Sequence, residues 1–532
     1  MHQMTTRRRK KVHLEEGFDR LSSLPDPIKE HIVSHLPTPE AVRMSILSKS
    51  WRAFWTQLPC LDLDLSNRFL DADWTEKENI RLRELFYDFI DFAFRSVLML
   101  EKVKLCVPGY SSGFKSRVDN WVVGAFGHRL TEFEMQVKYE SKVELNYVLP
   151  NIIFVSNLIT KLTLTLCKVD ESSLRDVNLP SLSYLCLKWV YIDEQHANNF
   201  LANCPNLEDL NYNSSYGFQR LKISGLAKLK KADIKYNRNT PSVIEIEAPS
   251  LLELTISYDV SSDEKGVCEI KLVGCTNMKK LKAIGNALGD SDLHSLVESL
   301  PLLERLELDR CRQLKHIEVS SPHLVHLEFM DCTRLRKAKV NAPNLKYFHY
   351  KGANPIRFPL IRRSSTPMLK EAAISLRPPY KKKKEKLFKD LVKFLTMFRH
   401  CERLTVCVSF TQDLIIPQEI RKKHKPPLSG VKHLMVKLRA IYTSLSDVEF
   451  VESLLWLAPC PDTISISDHL ARFSKCLEFK YKVPLKRQKK CGCWKSLPII
   501  CWRHSLDKVS VETKIKPEDD TELSNFFEKK LM

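Results

Sequence analysis

Four residues with metal-binding chemistry crowd one short stretch near the C-terminus: Cys491, Cys493, Cys501 and His504, within "CGCWKSLPIICWRH". Thiolate and imidazole are the usual donors to structural zinc, but such sites favour cysteine pairs separated by about two to four residues, and Cys-x-Cys clamps poorly. The second half of the stretch also alternates as a strand would. No metal is assigned, and no cofactor is expected. The chain has no Gly-rich phosphate loop, no Gly-x-Ser-x-Gly and no His-Glu-x-x-His, so catalytic chemistry of its own is not expected. Charge is the other candidate chemistry, because the 532 residues carry a formal net charge of +20. The runs "RRRKK" (7–11), "KKKKEK" (381–386), "RKKHK" (421–425) and "KRQKK" (486–490) contribute +5, +4, +4 and +4, nearly all of the excess. Three of them neighbour "RPPY", "KPPLSG" and "KVPLK", the company of solvated loops. Outside these runs the chain is close to neutral, so nucleic acid is not the expected partner.

The elements that must position any binding chemistry are set by a repeated phrase. Pro180, Pro205, Pro249, Pro301, Pro322, Pro343 and Pro367 are each followed two places on by leucine. At +5 and +7 stand apolar residues in every case, beginning with Leu185 and Leu187 in "LPSLSYLCLKWV". Two longer gaps between prolines hide proline-free copies, "LAKLKKADI" (226–234) and "TNMKKLKAI" (276–284); "ITKLTLTL" (159–166) and "VKHLMVKL" (431–438) are outlying copies. A period of roughly 21–27 residues built on Leu-x-x-Leu-x-Leu is the mark of a leucine-rich repeat. In each copy a short strand points its leucines inward, and only stacking of copies buries them. The expected fold is an α/β solenoid with a parallel strand ladder on its concave side. The return segments read as partly helical, with Ala197, Phe200 and Leu201 in one, and Leu293, Leu296, Val297 and Leu300 in another.

Residues 18–64 carry a different pattern. Ile28, Ile32, Val33 and Leu36 share a face of one helix started by Pro25 or Asp26. Thr38 and Pro39 read as N-cap and first residue of a second helix holding Val42 and Ile46. Ser48 can cap a third, with Trp51, Phe54, Trp55 and Leu58 at helical spacing, stopped by Pro59. Three such helices make a small core that leans on a neighbour. No run of 18 apolar residues occurs, so no membrane span is expected. The start, "MHQMTTRRRKKVHLEEGF", lacks the apolar stretch of a secretory signal. Sixteen scattered cysteines then read as reduced core thiols of an intracellular protein, in nucleus and/or cytosol.

Leu24-Pro25-Asp26, "LPTPEAV" (36–42) and "LSKSWRAFW" (47–55) resemble an F-box, and the chain resembles the plant proteins that join an F-box to leucine-rich repeats and a C-terminal FBD region. "VKHLMVKL", "ESLLWLAPCPDTISI" and "CWRHSLDKVSVE" (501–512) carry the FBD-like part. Two departures stand out: Ser50 occupies a commonly basic position, and the chain stops at "NFFEKKLM". The expected organisation is a basic tail (1–17), the F-box (18–64), a helical linker (65–104), the repeat array (105–376), a last repeat with basic loops (377–427), and a terminal repeat with the FBD-like region (428–532).

The resemblance implies a substrate-receptor subunit of a Skp–cullin–F-box ubiquitin ligase. Its F-box would dock on the Skp-type adaptor, and through it a cullin scaffold, while the repeats hold an unknown protein target. The alternative is a repeat scaffold that does not engage the adaptor. By position the adaptor contacts are Leu24, Pro25, Ile28, Ile32, Leu36, Val42, Leu47 and Trp51; some of this set must instead fill the three-helix core. With the leucines inward, Tyr184, Cys186 and Lys188 face outward in one strand. The same register exposes Asp209, Asn211, Asn213, Glu253, Thr255, Ser257, Arg305, Glu307, Asp309, His326, Glu328, Met330, Tyr347, His349 and Lys351. In those six strands acids outnumber bases by two, which favours a protein target over a nucleic-acid duplex. The target-binding face is assigned to Tyr184, Lys188, Asp209, Asn211, Arg305, Glu307, Asp309, His326, Glu328, Tyr347, His349 and Lys351, with Tyr184, Arg305 and Tyr347 as anchors.

Overall fold

A computed structural model describes residues 21, 23–44, 49–64, 76–139, 147–237, 242–258, 268–285, 287–352, 365–376, 384–439, 447–468, 474–482, 502–513 and 521–531. The chain divides into two compact units, Met1–Tyr191 and Ile192–Met532.

The first unit opens with three helices, α1 (Asp26–Ser34), α2 (Thr38–Met44) and α3 (Lys49–Thr56). Pro25, with φ −58°, precedes α1 and sets its entry. Val33, Ala41, Trp51, Trp55 and Leu58 are buried among these helices. Thr38 lies inside α2 rather than capping it, and its hydroxyl accepts the backbone N–H of Asp62 (2.8 Å). That bond ties α2 to a strand the sequence reading left inside the helical segment: β1 (Cys60–Leu63), which follows α3 after Pro59. A long helix α4 (Glu76–Ser96) leads to β2 (Lys102–Tyr110), α5 (Lys115–Phe126), β3 (Glu132–Tyr139), β4 (Lys161–Thr165) and β5 (Tyr184–Lys188). The five strands pair in parallel in chain order, so the three-helix segment feeds directly into a ladder. Arg117 of α5 ties α4 down through Asp88 (2.6 Å) and Asp91 (2.6 Å).

In the second unit the ladder runs through strands Asp209–Asn213, Lys231–Tyr236, Glu253–Tyr258, Lys280–Ile284, Arg305–Asp309, His326–Met330, Tyr347–Gly352, Glu371–Leu376, Arg403–Val408, His433–Leu438 and Thr463–Asp468, each parallel to the next. Ser474–Tyr481 and Leu506–Thr513 then add on antiparallel. Each proline of the repeated phrase stands four residues before its strand, so Pro205 leads to Asp209 and Pro343 to Tyr347. The reason is a tight turn. The N–H of the leucine two places on donates to the carbonyl just before the proline, as Leu207 does to Cys204 (3.1 Å) and Leu345 to Ala342 (3.1 Å). Proline thus takes the second position of a turn, where its fixed φ is already correct. Those leucines, Leu207, Leu251, Leu303, Leu324, Leu345 and Leu369, are all buried.

The far end of each strand has its own device. Ser214, Arg310 and Asp331, each the residue just after a ladder strand, have φ of 52°, 54° and 51°, and in the first unit Leu166 and Trp189 have 57° and 53°. The turn aims each N–H at a carbonyl in the final residues of the following strand: Ser214 to Lys235 (2.6 Å), Arg310 to Met330 (2.6 Å), Asp331 to Lys351 (2.6 Å).

Two return segments are helical as expected, Glu194–Ala202 and Asp290–Glu298, with Ala197, Phe200, Leu201, Leu293, Leu296 and Val297 buried. Others are strands, which the sequence reading did not assign. Arg220–Ile223, Val243–Glu247 and Glu269–Val273 form one parallel sheet, and His316–Ser320 pairs with Lys337–Asn341. "RLKI", "VIEIE" and "HIEVS" alternate with period two over segments too short for a helix. The helices close onto these sheets through first-turn acids. Glu194 accepts the N–H groups of Gln219 and Arg220 (both 3.1 Å), and Asp290 accepts those of Lys315 (2.7 Å) and His316 (3.1 Å).

The basic runs are less loop-like than expected. Lys384 begins the helix Lys384–Leu395, and "RKKHK" overlaps the helix Gln418–Lys423. Arg421 is buried there, its Nε donating to the Ile416 carbonyl (2.6 Å). Burial pulls its pKa down, against the attraction of Glu452 and Glu449. The runs at 7–11 and 486–490, and Cys491, Cys493 and Cys501 of the zinc-like stretch, lie outside the described residues, as does the His504 side chain. Among the described residues no group of three or more His, Cys, Asp or Glu is placed to hold a metal. No helix among them is long and apolar enough to cross a membrane.

Candidate interaction surfaces

The three-helix segment divides the eight residues assigned to it. Trp51 is fully buried and Trp55 nearly so. Trp51 therefore belongs to the core rather than to a contact surface. Its ring lies 6.4 Å from that of Phe54 on the same helix, and a side chain this large is what so small a core needs. Pro25 and Ile28 are exposed, and Leu24, Ile32, Leu36 and Val42 are half-buried. Leu47 lies outside the described residues. Near Ile28 on α1, Lys29 is buried, pairs with Asp26 (3.3 Å) and sits 5.9 Å from the centre of the Phe54 ring. What remains outside is a small apolar surface built on the loop before α1, on α1 itself and on α2.

The ladder face of the second unit is organised in rows by register. Opposite one another across successive strands stand Asp209, Lys231, Glu253, Lys280, Arg305, His326 and Tyr347. The next row holds Asn211, Asp233, Thr255, Lys282, Glu307, Glu328 and His349, and the third Asn213, Lys235, Ser257, Ile284, Asp309, Met330 and Lys351. The inward partners Leu210, Tyr212, Leu254, Ile256, Leu306, Leu308, Leu327, Phe329, Phe348 and Tyr350 are buried, which fixes the register.

The proline-free copies change the electrostatics. They add Lys231, Lys235, Lys280 and Lys282 against Asp233 alone, so from Asp209 to Lys351 six acids meet six bases. The face is balanced, not acidic. Its charges are also mutually committed. Glu307, with a side chain only 12% exposed, lies between Lys282 (3.2 Å), Lys280 (3.4 Å) and Arg305 (3.7 Å). Glu328 hydrogen-bonds with the His326 ring (2.6 Å) and lies 3.7 Å from the His349 ring, and these two imidazoles hold its carboxyl well below the usual carboxylate range. Tyr347 stacks on His326 with ring centres 4.5 Å apart, and Lys351 reaches Asp331 (2.9 Å). Toward the other end Asp209 and Asp233 are pushed up, chiefly by burial and then, for Asp233, by the neighbouring Asp209.

The first unit has its own ladder face. Glu132 lies between Lys102 (3.1 Å) and Lys161 (3.0 Å), its partners in register. Burial pushes its carboxyl up, but the hydrogen bonds from Lys161 and Lys102 prevail and lower it. Tyr184 and Lys188 are half-buried on β5. Cys186 was expected outward, yet it is 1% exposed. A short side chain between Tyr184 and Lys188, with Thr163 opposite, sinks below its neighbours. Trp189, just past β5, is 45% exposed in a left-handed conformation. Sequence reasoning passed over it because its conformation, not its type, makes it unusual.

Comparison with known proteins agrees with this arrangement. Residues 21–63 match the F-box domain model. Residues 118–288 match the leucine-rich repeats of the FBD-associated F-box protein At5g56370, and residues 267–453 the leucine-rich-repeat domain of At1g61320/AtMIF1. The chain is 30% identical over 260 residues to the F-box/LRR-repeat protein At3g59200 of Arabidopsis thaliana, covering 46% of each. It is 25% identical over 288 residues to the F-box/FBD/LRR-repeat protein At2g26030 of the same plant, covering 52% of this chain and 62% of that one. The match thus spans about half the length of these relatives.

Proposed function

Since the chain is an F-box/leucine-rich-repeat protein of the plant type, we propose that it is the substrate-receptor subunit of a Skp–cullin–F-box ubiquitin ligase. The observation that carries this reading is the F-box match at 21–63, which holds three helices, with apolar Pro25 just before the first and Ile28 on it both exposed. Exposed apolar side chains on so small a domain suit a partner surface. The Skp-type adaptor is the partner an F-box implies, and through it a cullin. The receptor contributes proximity and orientation, and no nucleophile of its own.

The ladder faces suit the target. Tyr184, Arg305 and Tyr347 are the residue types that dominate protein interfaces. On the second unit's face Asp209, Asn211, Glu307, Asp309, His326, Glu328, His349 and Lys351 stand in rows of mixed sign with Arg305 and Tyr347, and on the first unit's face Lys188 shares a strand with Tyr184; mixed charge of this kind suits a complementary protein surface. A duplex would meet as many acids as bases and gain little.

The test is co-elution of the purified chain with a recombinant Skp-type adaptor and cullin. Leu24→Ala with Pro25→Ala should release the adaptor while leaving the melting of the ladder unchanged. Co-elution undiminished in that double variant would favour a scaffold that engages the ligase differently or not at all. Within cells, Tyr184→Ala with Tyr347→Ala should lower target ubiquitination without lowering adaptor binding.

A further inference from the structure

Large apolar side chains are exposed beyond the F-box itself, on α4 and the turn that follows it: Leu85 (55%), Phe92 (43%), Leu98 (73%) and Met99 (48%). The opposite side of α4 is already occupied, with Phe86, Tyr87, Ile90 and Ala93 buried. Leu85 and Phe92, seven residues apart, share the outward side at a separation of about 10 Å. Single exposed apolar residues are ordinary, but a contiguous group next to another apolar surface marks a partner.

Two contacts join this group to the F-box. The Phe92 ring lies 5.7 Å from that of Trp55, and the N–H of Leu98 donates to the carbonyl of Thr56 (3.1 Å). Trp55 and Thr56 end α3, and Phe54 beside them carries Lys29 of α1. Phe92, Leu98 and Met99 therefore flank the same three helices that present Ile28. The described part of that segment offers little area by itself. A specific interface needs about 800 Å² from each partner, and among its described residues the large exposed apolar side chains are Ile28 on α1 and Leu21 before it.

We propose that Leu85, Phe92, Leu98 and Met99 extend the surface on which the Skp-type adaptor sits, so that α4 belongs to the docking module. The proposal rests on the adaptor reading above and adds to it an apolar strip of partner surface lying against α4. A second copy of this chain is the competing occupant.

The experiment measures affinity of the full chain for a recombinant Skp-type adaptor by biolayer interferometry, with mass by light scattering. Phe92 is left intact because it packs on Trp55. Leu98→Ser with Met99→Ser should weaken adaptor binding about tenfold, and Leu85→Ser by a smaller factor, with melting unchanged. Affinity within about twofold of wild type for both variants, while Leu24→Ala with Pro25→Ala loses binding, overturns the proposal and leaves the adaptor reading standing. A wild-type chain that does not bind the adaptor overturns both. A wild-type dimer that Leu98→Ser with Met99→Ser dissociates, with adaptor affinity unchanged, overturns the proposal and gives the strip to a second copy.

Discussion

Lys282 and Glu307 face each other directly across adjacent parallel strands, Nζ to Oε2 3.2 Å, and the same carboxylate also meets Lys280 and Arg305. Three cations converge on one nearly buried anion, so its loss leaves like charges together. Glu307→Ala should cost about 1–2 kcal/mol, less than breaking a fully buried pair because the cations are partly exposed and rehydrate. Lys282→Ala should cost under about 1 kcal/mol, since two cations remain. Urea denaturation of both variants checks this; equal costs would mean that Glu307 does not hold the strands together.

Glu328 gives the ladder a pH dependence of known sign. Its carboxyl is held below the ordinary value by the hydrogen bond with His326 and by the His349 ring beside it. The stability this contributes is fully present above the unfolded value of about 4.3 and is lost as pH falls below it. Glu328→Gln should therefore be destabilised relative to wild type at neutral pH, with the difference narrowing in acid. Thermal melts from pH 7 down to pH 3 read this directly, and a difference that widens in acid would contradict it.

Trp189 is the strained counterpart of a glycine. In the left-handed region a non-glycine residue costs roughly 1 kcal/mol, and this side chain recovers little by burial because it is 45% exposed. Trp189→Gly should raise the urea midpoint, whereas Trp189→Val, branched at Cβ, should lower it. Glycine at the corresponding Gly285, φ 73°, shows that the turn accepts it.

The inward register is tested by contrast. Leu306→Ala and Leu185→Ala remove fully buried side chains and should cost about 2–5 kcal/mol each. Tyr184→Ala, on a half-buried outward position, should stay under about 1.5 kcal/mol. Reversal of the two costs in chemical denaturation would place the strands one residue out of step.

Much of the ladder was legible because proline, leucine and alternation each act within seven residues. Pro205 sets a turn, Leu207 closes it, and Leu210 and Tyr212 can only turn inward. The proline-free strands Lys231–Tyr236 and Lys280–Ile284 were legible as repeats, but their outward lysines were not counted on the face, and its charge was misjudged for that reason. The return strands escaped because four or five alternating residues satisfy a short strand without excluding one turn of helix. Trp51 could not be assigned from spacing: core and contact surface share the faces of three short helices, and only packing separates them. Arg421 looked like loop charge because nothing local signals that the Ile416 carbonyl awaits its Nε.

The reversal of strand direction after Thr463–Asp468 has a consequence for assembly. A parallel repeat is a self-similar template, and its last open edge would accept the first strand of any other copy, as a growing polymer accepts monomer. Here Ser474–Tyr481 runs the other way against Thr463–Asp468, Leu506–Thr513 turns back beside it, and Phe527 of the helix Thr521–Leu531 packs 6.0 Å from Phe479 and 6.1 Å from Trp502. In the language of polymerisation this end is a chain terminator: an antiparallel strand occupies the growing edge in place of the next parallel repeat. Removing residues after 468 should convert a discrete molecule into one that concatenates, visible as a scattering mass that climbs with concentration.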